Sequence, residues 1–233
     1  MKLWSEAEAA IWNENFTVPV APKTKKSAKL LLEPGDRVKI RITGQPEWDR
    51  LSCAVCSDVY QGYGILSIWD ISLLPVKSVG LEMFMHEGKP MIFEATVKAV
   101  DEDGNYEFSL FRQSLDIHES RARTNYDSGD VIEGIVTGGN DKQAFLITES
   151  GYTAIYHCGK EIPKKNTVVC VYIRSVNRKL RDDKLYVNAY PAEGESYDMS
   201  EKEAESNIRD MFVSLIRSLW SGDVYEDVPD EIS

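Results

Sequence analysis

The chain has 233 residues, enough for one or two small domains, and its 42% apolar and 28% charged shares are ordinary for a soluble globular protein. A formal net charge of −11 argues against a uniformly basic surface for polyanions. No run reaches the length of a membrane span and no apolar signal core opens the chain, so a cytoplasmic protein is expected.

The charge is unevenly spread. Residues 33–111 hold seven basic against thirteen acidic side chains, and residues 192–233 hold three against twelve. Residues 1–32 and 128–191 each carry a small basic excess. Four cysteines are too few for a disulfide framework. Cys53 and Cys56 form a lone C-x-x-C inside an expected strand, and nothing in the spacing of His157, Cys158 and Cys170 asks for a metal. They read as buried small side chains, with no metal and no cofactor expected.

In chain order, Ser5 and Glu8 form a capping box, and Leu3, Trp4, Ala7 and Ile11 fall at helical spacing. Pro19 to Lys29 is rich in proline and lysine (Lys23, Lys25, Lys26, Lys29) and reads as a basic linker, so residues 1–32 are expected to be a short helix and an arm. After the Pro34-Gly35-Asp36 turn, Arg37 to Ile42 alternate as a half-buried strand should. Leu51 to Val59, Ile65 to Ile71, Pro90 to Val100 and Tyr106 to Phe111 are further strands, and Leu73 to Gly88 is irregular cover for one end. Three strands in a meander and two after a crossover predict a five-stranded Greek-key barrel over 33–112. Residues 113–127 are a polar connector, a short helix or linker.

Residues 128–191 repeat that order. Val131, Ile132, Ile135 and Val136 make a strand with Gly134 inside it, a signal for a bulge or bend. Gly138-Gly139-Asn140-Asp141 predicts a turn, followed by strands at Ala144 to Thr148 and Tyr152 to Tyr156 around a Ser150-Gly151 turn. Cys158 to Asn166 is a crossover, and Thr167 to Val176 and Leu185 to Tyr190 complete the set. Both blocks open on Gly-Asp and close on a long strand, a polar turn and a short strand, an internal duplication at a spacing of about ninety-five residues.

Within 192–222, Ser200 and Glu203 cap a helix whose one face holds Ala204, Ile208, Met211, Phe212, Leu215, Ile216 and Leu219. Val213 and Trp220 widen that face, and Ser221-Gly222 stops the helix. The face must pack on a barrel or on another protomer. Residues 223–233 are acidic, contain proline and are expected to be disordered.

The second block resembles the RNA-binding repeat of the largest small-subunit ribosomal protein, the S-one type, which is an oligonucleotide-binding (OB) barrel. The resemblance is carried by Gly129-Asp130-Val131-Ile132-Glu133-Gly134-Ile135-Val136, by Lys142-Gln143-Ala144-Phe145-Leu146 and by Ala154-Ile155-Tyr156-His157. Asn177 stands where the family has an aspartate after strand four, and Lys184 is its basic residue before strand five. The first block resembles the repeat more weakly, through Gly64-Ile65-Leu66-Ser67-Ile68-Trp69-Asp70-Ile71, with Ser67 in the place of the histidine. The resemblance implies a mainly β fold of two tandem five-stranded OB Greek-key barrels with a short N-terminal and a longer C-terminal amphipathic helix.

By the same resemblance, Phe145 and His157 are the base-stacking candidates, although Phe145 also reads as core and His157 as a strand-end histidine held by local hydrogen bonds. Lys142 stands where the family's first aromatic is expected, and Arg174, Arg178, Lys179, Arg181 and Lys184 are the candidate phosphate contacts. A nucleic-acid-binding role follows, with single-stranded RNA favoured over single-stranded DNA. The alternative is a structural or adaptor protein whose barrels and C-terminal helix meet a protein partner or a second copy. An enzyme is not expected: His86, His118 and His157 sit in no nucleophile motif, and there is no phosphate-binding glycine loop.

Overall fold

The structure, a computed structural model, describes residues 31–148, 151, 153–158, 161–179 and 184–225. The helix and basic linker expected before Leu31, Arg181, and residues 226–233 of the acidic stretch lie outside the described residues.

Strands β1 (Arg37–Glu47), β2 (Arg50–Val55) and β3 (Tyr63–Ser67) form an antiparallel meander. Two short 3-10 turns, Ile68–Asp70 and Leu81–Phe84, and the two-residue β4 (Met85–His86) follow. The chain then turns through Glu87 and Gly88 into β5 (Lys89–Val100), and β6 (Tyr106–Ser109) completes the set. β5 pairs with β1 and with β6, and β6 runs parallel to β3, so the sheet closes on itself in the order β1-β2-β3-β6-β5. Strand alternation sorts the side chains: Val38, Ile40 and Ile42 are buried with Met91, Phe93, Ala95 and Val97, while Arg37, Lys39 and Arg41 face outward. Leu74, Val76, Val79, Met83 and Phe84, from the segment expected to cover one end, join the same core.

Helix α1 (Phe111–Asn125) fills the connector and places Ala122 in the second core. Strands β7 (Val131–Asn140), β8 (Gln143–Thr148), β9 (Thr153–Tyr156), β10 (Thr167–Lys179) and β11 (Lys184–Pro191) repeat the closure, with β9 parallel to β11 and β10 joining β11 to β7. The fold is therefore two closed five-stranded OB-like barrels. Two details differ from expectation. Gly138 and Gly139 lie within β7, and the turn falls at Asp141-Lys142, where the Asn140 side-chain oxygen accepts from the Lys142 and Gln143 amides at 3.0 and 3.2 Å. The register also runs unbroken through Gly134 and slips only between Val136 and Gly138. Gly134 is small for another reason, since a Cβ there would stand 3.2 Å from Leu146 Cδ1.

The remaining segment ties the barrels together. β12 (Tyr197–Asp198) pairs with the start of β10, α2 (Glu201–Leu219) follows, and β13 (Trp220–Val224) pairs with the start of β5. Ser200 and Glu203 form the expected capping box. Ala204 packs with Ile135 and Val168 of the second barrel, whereas Ile208, Phe212 and Ile216 pack into the first core together with Ile147 of β8. The apolar face of α2 is thus covered by the chain's own barrels, which removes the surface that suggested a partner or a second copy. Residues 223–225, expected in a disordered tail, instead continue β13 and its edge contacts, with the Tyr225 amide donating to Pro90 O at 2.8 Å.

Candidate nucleic-acid interface

The outer face of the second barrel is built by alternation and register. On β10, Val171 and Ile173 are buried, so Tyr172 points outward. A slip between Ile173 and Ser175 then places both Arg174 and Ser175 outside. On β11, buried Val187 and Ala189 flank outward Asn188, and Tyr190 lies opposite Tyr172. β9 is parallel to β11 with Ala189 beside Tyr156, and the His157 amide donates to Ala189 O at 2.9 Å. That bond brings the His157 ring alongside Tyr190.

Three rings consequently form a ladder across three strands. His157 and Tyr190 stack with centroids 4.8 Å apart at 24°, and Tyr190 and Tyr172 follow at 5.6 Å and 21°. Arg174 is exposed; its guanidinium carbon lies 5.5 Å from the Tyr190 centroid and Nη1 is 3.4 Å from the Tyr190 hydroxyl oxygen. His157 Nε2 is 3.1 Å from Asn188 Oδ1, so the ring donates from Nε2, and Asn188 Nδ2 donates to Ser175 Oγ at 3.0 Å. This chain of bonds fixes both the ring and the amide.

A second row runs beside the ladder. Phe145 of β8 faces Ile155 of β9, which lies beside Asn188. Phe145 is 36% exposed, so the reading of it as a core residue is set aside. Gly138 is opposite it on β7, and a Cβ there would meet nothing within 4 Å, which leaves that side of the ring open. Lys142 is exposed in the β7–β8 turn.

The structure therefore brings Phe145, His157 and Arg174 onto one face, with Lys142 at the adjoining turn. Of Asn177, Arg178, Lys179 and Lys184 the backbone alone is described: Asn177 pairs with Tyr186, Arg178 with Leu185 and Lys179 with Lys184, on the outer half of the β10–β11 ribbon. Tyr172, Tyr190, Asn188 and Ser175 escaped the sequence reading. Period-two alternation along Val171-Tyr172-Ile173-Arg174 carries the signal for the first of them.

The cysteines of the C-x-x-C pair have a plain physical setting. Burial raises the Cys53 thiol far above its ordinary range, and burial raises Cys56 as well, so neither offers a thiolate at neutral pH. Among the described residues no group of three or more His, Cys, Asp or Glu could hold a metal ion. Nor is any described helix long and apolar enough to cross a membrane.

No protein-family model and no curated protein matches the chain. Among solved structures it is similar to an a/eIF2alpha-aDim2p-rRNA complex from Pyrococcus horikoshii, at 17% identity over 41% of this chain and 61% of that one, with a TM-score of 0.29. A multidomain protein with nucleic acid binding domains from Streptococcus pneumoniae matches at 14% identity over 75% and 58%, with a TM-score of 0.23. Drosophila Unr CSD456 matches at 7% over 70% and 64%, with a TM-score of 0.23. The chain thus spans about three-fifths of the length of each of these three. Overall superposition is low throughout, so the architecture stands on the strand pairings themselves.

Proposed function

We propose that this is a nucleic-acid-binding protein, not an enzyme, that holds single-stranded RNA against the outer face of its second barrel. The observation that carries the reading is the His157–Tyr190–Tyr172 ladder with Arg174 beside it. An aromatic ladder on an open sheet accepts a base at either end whatever its identity, and stacking contributes about 1–3 kcal/mol per base. Phe145 supplies a second platform one row away. Arg174 and Lys142 meet phosphates, joined by Arg178, Lys179 and Lys184 of the β10–β11 ribbon and by Arg181, and such contacts release counterions and make affinity fall with salt. The net charge of −11 keeps the remainder of the surface from holding RNA nonspecifically.

Fluorescence anisotropy with a labelled single-stranded RNA, titrated across salt and compared with DNA of the same sequence, tests this. The expected outcome is saturable binding at low salt, tighter for RNA, weakened about tenfold or more by His157→Ala. Absence of binding at low salt, or binding indifferent to that substitution, refutes it.

A second reading is favoured by one feature of the first barrel. Tyr63 and Ile65 share the outer face of β3 at 45% and 38% exposure, an apolar pair suited to a protein partner. Alanine at both positions would then abolish a contact that survives nuclease treatment, and a protein with no such contact counts against an adaptor role.

A further inference from the structure

The first barrel carries a basic stripe of its own. Because Val38, Ile40 and Ile42 point inward, Arg37, Lys39 and Arg41 all stand on the outer face of β1. Two of the three are engaged by the segment that follows α2. Asp223 Oδ2 accepts from Lys39 Nζ at 2.7 Å, and the Arg41 guanidinium carbon lies 3.4 Å from the centroid of the Tyr225 ring. β13 reaches them across β5, whose far edge it occupies, and the Tyr225 amide is anchored on Pro90 O. A carboxylate on an ammonium and an aromatic ring on a guanidinium reproduce the two contacts that a nucleotide makes with such a stripe, phosphate to lysine and base to arginine. Four of the next six residues in the sequence, Glu226, Asp227, Asp230 and Glu231, are acidic.

The corresponding place in the second barrel sharpens the reading. Matching the registers puts Glu133 where Lys39 stands and Ile135 where Arg41 stands, and there the tie is Tyr197 Oη donating to Glu133 Oε2 at 3.4 Å. A tie across that edge is therefore common to both barrels. A basic stripe covered by a carboxylate and a ring belongs to the first barrel alone. The covering contact is displaceable, because Lys39 and Asp223 are each 54% exposed and surface ion pairs contribute little to stability.

We infer that Arg37, Lys39 and Arg41 form a second contact for single-stranded RNA, masked in the folded chain by Asp223 and Tyr225 acting as a built-in nucleotide mimic. The site lies on the β1–β5 side of the first barrel and does not depend on the second-barrel reading.

The test uses the full chain carrying Tyr190→Ala, which weakens the second-barrel face, with and without Asp223→Asn and Tyr225→Ala. Anisotropy with a labelled single-stranded RNA at low salt should show a gain of about tenfold on unmasking, reversed when Arg41→Ala is added. A 4-thiouridine RNA should photo-crosslink to the peptide holding Arg37 to Arg41 in the unmasked chain and not in the masked one. Asp223→Asn alone, which leaves the β13 backbone pairing in place, should give an intermediate gain if the double change perturbs folding. The inference is overturned if unmasking produces no gain, or if the gain survives Arg41→Ala. Failure of the second-barrel reading would show instead as unchanged affinity on Tyr190→Ala in the masked chain.

Discussion

The two barrels share a frame and two of its irregularities, and differ on the face that the frame presents. Strand one slips between Ile42 and Gly44 in the first barrel and between Val136 and Gly138 in the second. Strand four slips between Val97 and Ala99 and between Ile173 and Ser175. With these registers matched, Ser52 takes the place of Phe145, Ser67 of His157, Glu107 of Asn188, Ser109 of Tyr190 and Thr96 of Tyr172. Lys98 occupies the bulge position of Arg174, but its ammonium is held by Asp70 at 2.9 Å. One scaffold thus displays a ladder of rings with a cation in one copy and short hydroxyls with a glutamate in the other. The bulges belong to barrel closure, because both copies keep them; the rings do not, because the first barrel closes without them.

The shared frame can be broken at the β3–β6 seam. Gly64 corresponds to Ala154, which is fully buried in the second barrel. In the first barrel a Cβ at Gly64 would stand 2.1 Å from Tyr106 O and 2.8 Å from the Phe108 ring. Gly64→Ala should therefore force the seam apart and lower stability by about 3 kcal/mol, the upper end for over-packing a core. Ala154→Gly should lower it by about 1 kcal/mol, through backbone entropy and a lost methyl contact. Urea denaturation of both variants checks the pair, and equal losses would mean that the first seam opens for a methyl as the second does.

The difference between faces is sharpened by a matched substitution. Tyr190→Ala removes the middle ring of the ladder and should weaken RNA binding by roughly ten- to a hundredfold, in line with about 1–3 kcal/mol per stacked base. Ser109→Ala, at the same place in the first barrel, should leave affinity unchanged in anisotropy titrations. Equal effects would move the RNA off the second-barrel face.

Much of this was legible in the residues. Alternation at Arg37 to Ile42 and the turns at Gly35 and Gly104 mark strands of the first barrel, and the repeated order marks the duplication. The C-terminal helix announced itself through Ser200, Glu203 and its apolar face. β12 and β13 were not legible: each is short, and each owes its strand state to a partner far away in sequence, at Thr167 and Phe93. The resemblance led to Phe145, His157 and Arg174 and passed over Tyr172 and Tyr190. Alternation turns Tyr172 outward, but the stacking of the two rings depends on a cross-strand register that local pattern does not carry, and the bulge beside them turns Arg174 outward.

Acid should separate the two halves by a smaller margin. Hydrogen bonds from the Asn105 side chain and amide, with those of Asp103 and Gly104, hold Asp101 below its ordinary carboxylate value. Lys77 does the same for Glu201, the Ser200 hydroxyl and amide for Glu203, and Lys39 for Asp223. A carboxylate depressed in the folded state adds stability that is present above its unfolded value and is lost as pH falls through the folded one. Glu203 caps the end of α2 that reaches the second barrel, but Asp101 lies in the first barrel and Glu201 and Asp223 are tied to its Lys77 and Lys39. The loss should therefore begin there as pH drops below about 4. The described tryptophans, Trp48, Trp69 and Trp220, also lie on that side, and residues 128–191 contain none. In a chain with Trp4 and Trp12 replaced by phenylalanine, tryptophan fluorescence then follows the first barrel while far-UV circular dichroism follows both. The fluorescence transition should lead on acidification. Coincident transitions would instead mean that α2, with Phe212 and Ile216 packed beside Ile147, couples the barrels tightly enough for acid to unfold them as one unit.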